Sequence, residues 1–275
     1  MIIDTWVLPN TPEVARSWPP HLAHVFRMFK REEALAGTEP EQVIEEMDAA
    51  GVDVAIVTAL VEADFAIGND VVANWVSAYP DRFHGRVCVD PRKPVAAVRE
   101  LERYVTEHGF GSLQVLPYAF GKPFDDRMYY PLFIKCCELE IPVVTQVGHV
   151  ASLLRSDPGR PIYIDDVALD FPELTIVGGH IGWPWTDEMV ALAWKHPNVY
   201  IDSSAHAPRR FEPAFLQFLK GPGRDKCMFG TDYPLLTFDR CVADVRALEL
   251  KEEVERKFLG ENAMKVYGIA SKEGT

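Results

Sequence analysis

The sequence predicts a single (β/α)8 TIM barrel, on three observations. Short β-branched runs alternate along the chain with segments of helical apolar spacing, eight such runs occur, and polar residues gather directly after the later ones. Alternation of this kind marks βα units around a parallel sheet. Eight units close a barrel, and barrels of about 250 residues form one domain. A chain of 275 residues is therefore read as one domain over 1–275.

The expected strands are, in order, Met1 to Asp4, Val52 to Thr58, Phe83 to Val89, Ser112 to Leu116, Pro142 to Gln146, Leu174 to Gly178, Val199 to Asp202 and Lys226 to Gly230. Between them helical spacing predicts Glu39 to Ala50, Asn69 to Ala78, Val95 to His108, Met128 to Leu139, Ile162 to Phe171, Asp187 to Lys195, Pro213 to Leu219 and Phe238 to Leu248. Gly51 and Gly109 follow two of these as left-handed caps. A terminal pair, Lys251 to Leu259 and Glu261 to Tyr267, is expected to pack outside the barrel. The one irregular part, residues 9–38, reads as an insertion after the first strand. Barrel active sites lie at the C-terminal strand ends under such loops, so this insertion is read either as a lid or as a packed surface flap or oligomer contact.

Composition excludes several functions. With 48% hydrophobic and 25% charged residues, and no run near the roughly 18 apolar residues of a membrane span, the chain reads as globular and not membrane-inserted. The opening residues read as a strand, not a signal peptide, so a cytoplasmic location is expected. Five cysteines without CxxC spacing support neither a disulfide framework nor a zinc ribbon. A formal charge of -13 argues against nucleic acid as a partner.

Chemistry is expected where strands end at the barrel mouth. Gln146 and His149 follow the fifth strand, His180 and Trp183 the sixth, His206 the seventh, and Asp232 and Tyr233 the eighth. One histidine at a strand end is ordinarily structural, but several on neighbouring units point to a site. Trp6, Trp183, Trp185 and Tyr233 are read either as an aromatic wall against a planar substrate or as packing at the barrel top. Arg155 is the expected cation for a substrate carboxylate, with Arg160, Arg209 and Arg210 as weaker choices.

The runs Ile176-Val177-Gly178-Gly179-His180-Ile181-Gly182 and Met228-Phe229-Gly230-Thr231-Asp232-Tyr233-Pro234 are joined by the closing Gly260-Glu261-Asn262-Ala263-Met264-Lys265-Val266-Tyr267. Together they resemble the aminocarboxymuconate-semialdehyde decarboxylase-like branch of the amidohydrolase superfamily over nearly the whole chain. The resemblance implies a (β/α)8 barrel of the metal-dependent-hydrolase type and decarboxylation, hydration or hydrolysis of small carboxylated, aromatic or ring-cleavage compounds. It also implies that Asp232 is the aspartate that touches a metal or handles a proton, and that His180 polarises substrate or activates water.

The pattern breaks elsewhere. Where such enzymes carry His-x-His after the first strand, this chain has Trp6-Val7-Leu8, and the metal histidine of the fifth strand is Gln146. Trp and Leu cannot ligate zinc, and an amide oxygen suits hard cations. Two outcomes are carried forward. Either a single zinc or manganese ion sits in a shifted cage of His149, His180 and Asp232, joined by His206, or no metal is needed and Asp232 and His180 exchange protons themselves. The second resembles the 2-pyrone-4,6-dicarboxylate lactonases, barrels of the same superfamily that work without a metal. A non-catalytic binding protein or scaffold subunit is the competing function, and a homodimer is conceivable through the Trp- and Pro-rich loop around 183 to 185.

Overall fold

The computed structural model describes residues 1–270. Its barrel strands are β1 (Ile3–Val7), β2 (Val54–Thr58), β5 (Phe83–Cys88), β6 (Ser112–Val115), β7 (Val143–Gln146), β8 (Ile176–Gly179), β9 (Val199–Asp202) and β10 (Cys227–Met228). A side hairpin, β3 (Leu60–Val61) and β4 (Ala66–Ile67), leaves the top of β2. The eight main strands pair in parallel in chain order. Closure comes from the Thr5 amide donating to the Phe229 carbonyl at 3.1 Å and from a parallel bridge between Val7 and Tyr233.

Helices α3 (Pro40–Ala50), α4 (Asn69–Ala78), α5 (Pro94–His108), α7 (Tyr130–Glu138), α8 (Ile164–Asp170), α9 (Thr186–Lys195), α10 (Pro213–Lys220) and α11 (Phe238–Arg246) supply the outer ring. A single turn, α6 (Pro117–Phe120), follows β6 directly. Gly51 and Gly109 end α3 and α5 at φ 75° and 68°, a conformation that costs glycine no Cβ clash. The main apolar core lies between strands and helices. A second cluster fills the barrel interior, with Ile3, Trp6, Val54, Ile56, Val144, Val177 and Met228 packed together.

Three expectations need correction. β1 runs on to Val7 because every side chain from Ile3 to Val7 is buried, so Trp6 belongs to the strand itself. The last strand is shorter than expected, its ladder ending at Met228, after which the chain bends over the barrel mouth. The terminal helices do not simply pack outside. α12 (Glu252–Arg256) and α13 (Asn262–Tyr267) are joined by a π-turn, and Ala263 and Tyr267 plug the floor of the interior cluster. Residues 9–38 hold two helices, α1 (Pro12–Ser17) and α2 (Pro20–Met28), and a 3-10 turn over Glu32–Ala36. No helix among the described residues is long and apolar enough to cross a membrane.

Candidate active site

The C-terminal strand ends surround one cavity of about 740 Å³, counting the solvent at its mouth. Trp6 and Gln114 line it from β1 and β6, Gln146 from the end of β7, and His180, Ala205 and Asp232 from the turns after β8, β9 and β10. The last three have φ of 71°, 63° and 63°, left-handed conformations that L residues adopt only when their surroundings enforce them. The enforcing contacts are visible at Asp232, whose amide donates to the Trp6 carbonyl at 3.0 Å and whose carbonyl accepts from the Leu235 amide at 2.9 Å.

His180 is held by a polar chain. Its Nδ1 lies 3.1 Å from the Ser204 carbonyl and 2.8 Å from Ser204 Oγ. Ser204 Oγ in turn donates to Asp202, which also accepts from the Ser204 amide at 2.7 Å and from the Thr5 hydroxyl. A carbonyl can only accept, so Nδ1 carries the hydrogen and Nε2 keeps a free lone pair. Desolvation lowers the His180 pKa to about 4, helped by the positive charge of Arg86, so the ring is neutral at pH 7. Trp6 packs against it with centroids 4.6 Å apart.

Asp232 is the opposite case. Burial, then the neighbouring charges of Asp202 and Asp4, push its carboxyl well above the usual range. Asp4 rises to about 7, chiefly by burial, although the amides of Trp6 and Thr231 donate to it at 3.0 and 3.1 Å. The cavity is thus lined by a carboxyl shifted towards its protonated form and by a neutral imidazole.

Of the residues singled out from sequence, Trp6, Gln146, His149, His180 and Asp232 line this cavity, whereas Arg155, Trp183, His206 and Tyr233 lie outside its wall. Arg155 is exposed on the loop after β7. Trp183 is 40% exposed, edge-on to His149. Tyr233 turns away to stack on Phe238 at 4.6 Å. Arg160 is occupied by Glu188 at 2.6 Å and Arg209 lies 3.8 Å from Asp244. Among the described lining residues none is Lys or Arg.

Sequence reasoning missed Gln114, Tyr118 and Ser152 in the wall, and the cavity roof of Trp18, Leu22, Val25, Phe26 and Phe29 contributed by the insertion. The one readable signal was Gln114, a lone amide between Leu113 and Val115 in a strand that is buried throughout.

A family model described as amidohydrolase matches residues 16–269. The chain belongs to the amidohydrolase family. Decarboxylase orsB of Emericella nidulans is 36% identical, the match covering 66% of this chain and 68% of that protein. A 2-amino-3-carboxymuconate-6-semialdehyde decarboxylase of Dictyostelium discoideum is 24% identical, covering 73% of this chain and 65% of that one. This places the family member in the branch its motifs resemble. A 2-keto-4-carboxy-3-hexenedioate hydratase of a Sphingobium species is 29% identical, but the match spans only 42% of this chain and 41% of that protein.

Among solved structures, an uncharacterised TIM-barrel protein from Bordetella bronchiseptica gives a TM-score of 0.83 at 26% identity, covering 97% of this chain and 98% of that one. The 5-carboxyvanillate decarboxylase of Novosphingobium aromaticivorans shares the fold, with a TM-score of 0.76 at 21% identity over 98% of this chain and 96% of that one. That structure contains manganese and 4-hydroxy-3-methoxy-5-nitrobenzoic acid.

A metal of that kind does not fit the side chains of this family member. Trp6 and Leu8 stand on the first strand and the turn after it, with the Trp6 indole packed on His180. Gln146 donates from Nε2 to the Gly148 and His149 carbonyls, both at 3.3 Å, and offers an ion only one neutral oxygen, its unpartnered Oε1. Among the described residues no group of three or more His, Cys, Asp or Glu is gathered to hold an ion, which includes the shifted set of His149, His180 and Asp232. Catalytic zinc sites bring three protein ligands to one point.

Proposed function

We propose that this amidohydrolase-family chain is a carboxy-lyase acting on a small carboxylated aromatic compound, with Asp232 as the proton donor and His180 as the hydrogen-bond and proton acceptor. One observation carries the reading: Asp232, whose carboxyl burial shifts towards its protonated form, and the neutral imidazole of His180 line one largely apolar cavity whose described wall holds no cationic side chain. A carboxylate brought there loses its water and gains no counter-ion, which raises it relative to the neutral CO2 it becomes.

The step balances without further reagents. Asp232 gives its proton to the ring carbon that bears the carboxylate, the carbon–carbon bond to that carboxylate breaks, and its electron pair returns to the ring as CO2 leaves. Solvent then reprotonates Asp232. His180 Nε2, its lone pair free, accepts a hydrogen bond or a proton from a ring hydroxyl and orients the ring beneath Asp232. The named decarboxylases among the relatives support this chemistry over hydrolysis. The binding-protein alternative is disfavoured because an unpaired buried carboxyl is a cost that simple packing would not maintain.

The test is CO2 release from a panel of hydroxybenzoates, with deuterium from D2O appearing at the vacated ring carbon. Asp232→Asn keeps the shape and removes the proton, and kcat should fall about 10²–10⁴-fold. Unchanged turnover in that variant would show that Asp232 is not the donor.

A further inference from the structure

Arg86 is the only Arg or Lys that is fully buried among the described residues. It comes from β5, Phe83-His84-Gly85-Arg86-Val87-Cys88, and enters the barrel interior, where neutral groups hold its guanidinium. Nη2 donates to the Thr5 carbonyl at 2.7 Å and to the Tyr267 hydroxyl at 3.2 Å, Nε donates to Ser112 Oγ at 3.3 Å, and Nη1 has no partner. A buried cation so held costs free energy that an apolar side chain of similar volume would not, so packing alone does not account for it. What Arg86 holds is the Thr5–Trp6 peptide, by its carbonyl and by the Trp6 ring, whose centroid lies 5.1 Å from the guanidinium. Two routes run from that peptide to the barrel mouth. The Trp6 indole packs on His180 at 4.6 Å, and the Trp6 carbonyl takes the Asp232 amide at 3.0 Å. The Thr5 hydroxyl donates to Asp202, which accepts from Ser204, and the Ser204 carbonyl lies 3.1 Å from His180 Nδ1.

Resting on the reading above that His180 and Asp232 are the proton-transfer pair, we propose that Arg86 is their positioning residue, which through Trp6 and Thr5 fixes the His180 ring with its hydrogen on Nδ1 and sets the backbone turn at Asp232. It acts through other groups, since it is not among the residues that line the cavity. Tyr267 of α13 supports it from the floor, with the ring centroid 5.6 Å from the guanidinium. Attraction to two aromatic rings keeps the cation from dropping away from Trp6. Arg86 also acts on the polar chain: its charge is among the groups that hold the Asp202 carboxyl down against the rise that burial imposes, which keeps Asp202 an acceptor for Ser204. A displacement of Trp6 is felt at both members of the pair, and a misplacement of about 1 Å at a reacting group can cost about a hundredfold in rate.

The experiment compares the wild type with Arg86→Met, Arg86→Lys and Tyr267→Leu. Three quantities are read: the His180 ring tautomer, from nitrogen chemical shifts of histidine-labelled protein at pH 8 without ligand; kcat and KM for CO2 release from 2,6-dihydroxybenzoate; and the melting temperature. The wild type should show the Nδ1–H form. Arg86→Met should melt at the same or a higher temperature, yet give a mixture with the Nε2–H form that free histidine favours. Its kcat should fall about tenfold to a hundredfold while KM stays within about twofold, since no cavity contact is removed. Arg86→Lys should return the Nδ1–H form and part of the lost kcat, short of wild type because an ammonium cannot reach the Thr5 carbonyl, Ser112 and both rings together. Tyr267→Leu, at the floor of the barrel, should shift tautomer and kcat in the same direction. An unchanged tautomer in Arg86→Met, a loss carried by KM instead of kcat, or no recovery in Arg86→Lys would each overturn the proposal. If Arg86→Met does not fold, Tyr267→Leu decides, and an unchanged tautomer there overturns it. A tautomer change in a protein whose wild type releases no CO2 would leave Arg86 as the residue that sets the His180 ring and remove the decarboxylase reading for this compound. CO2 release with tautomer and kcat unchanged in Arg86→Met would do the reverse.

Discussion

His180 and Asp232 are shifted in opposite directions, His180 down and Asp232 up, and both shifts favour the neutral form. Each therefore affects stability with its own sign. The folded pKa of His180 is about 4 against an ordinary 6.5, so below pH 6.5 the unfolded chain binds the proton first and stability is lost as pH falls towards 4. Asp232 is raised, so above its ordinary 3.8 the unfolded chain releases the proton first and stability is lost as pH rises towards the folded value. Urea unfolding should show Asp232→Asn gaining stability over the wild type at pH 8 and gaining little at pH 4. Turnover should follow the same two groups: its acid limb should lie near pH 4, well below a free imidazole, because His180 must stay neutral. An acid limb near pH 6.5 would mean that the ring is solvated during catalysis.

Two elements decide the shape of the cavity. The insertion is tied to the barrel by His21 Nε2, 2.7 Å from Glu62 Oε2, and by Arg31 Nε, which donates to the Pro234 carbonyl at 3.1 Å, and it is braced internally by Trp18 Nε1 donating to Asn10 Oδ1 at 2.7 Å. Those ties hold its apolar residues over the cavity. Strand β8 sets the floor. A Cβ at Gly179 would stand 2.5 Å from the Trp6 ring, so only glycine lets the indole lie against the strand beside His180. Gly179→Ala should cost about 1–3 kcal/mol through overpacking. It should also lower kcat, since Trp6 must shift and His180 rests on it. Thermal melts and turnover measured on one preparation would check both effects.

Across the whole molecule the barrel interior is filled rather than left open for an ion. Arg86 is fully buried with its guanidinium 5.1 Å from the Trp6 ring centroid and 5.6 Å from that of Tyr267. Its Nη2 donates to the Thr5 carbonyl at 2.7 Å and lies 3.2 Å from the Tyr267 hydroxyl. The C-terminal helix α13 thus closes the barrel floor through a cation held between two aromatic faces. Under the proposed mechanism, proton transfer above this layer falls to His180 and Asp232 at the strand ends. Exhaustive chelation should leave CO2 release from the hydroxybenzoates within about twofold of the untreated enzyme, an order-of-magnitude allowance for a site short of the three ligands that catalytic metals use. Loss of activity on chelation, restored by manganese, would show that an ion enters with the substrate.

The barrel was legible because its determinants are local. β-Branched runs and helical patterning, glycine caps and the Gly-Gly-His and Gly-Thr-Asp turns are written in consecutive residues, so strand order and the positions of His180 and Asp232 follow from the chain alone. The break in the family pattern at Trp6, Leu8 and Gln146 was equally visible. What the sequence could not give was direction. A residue just past a strand can turn into the mouth, as His149 does, or away from it, as Arg155 and Tyr233 do, and backbone torsions set by distant hydrogen bonds decide which. The roof from residues 9–38 and the raised pKa of Asp232 arise only when segments far apart in sequence exclude water from one another, and that exclusion is a property of the tertiary structure.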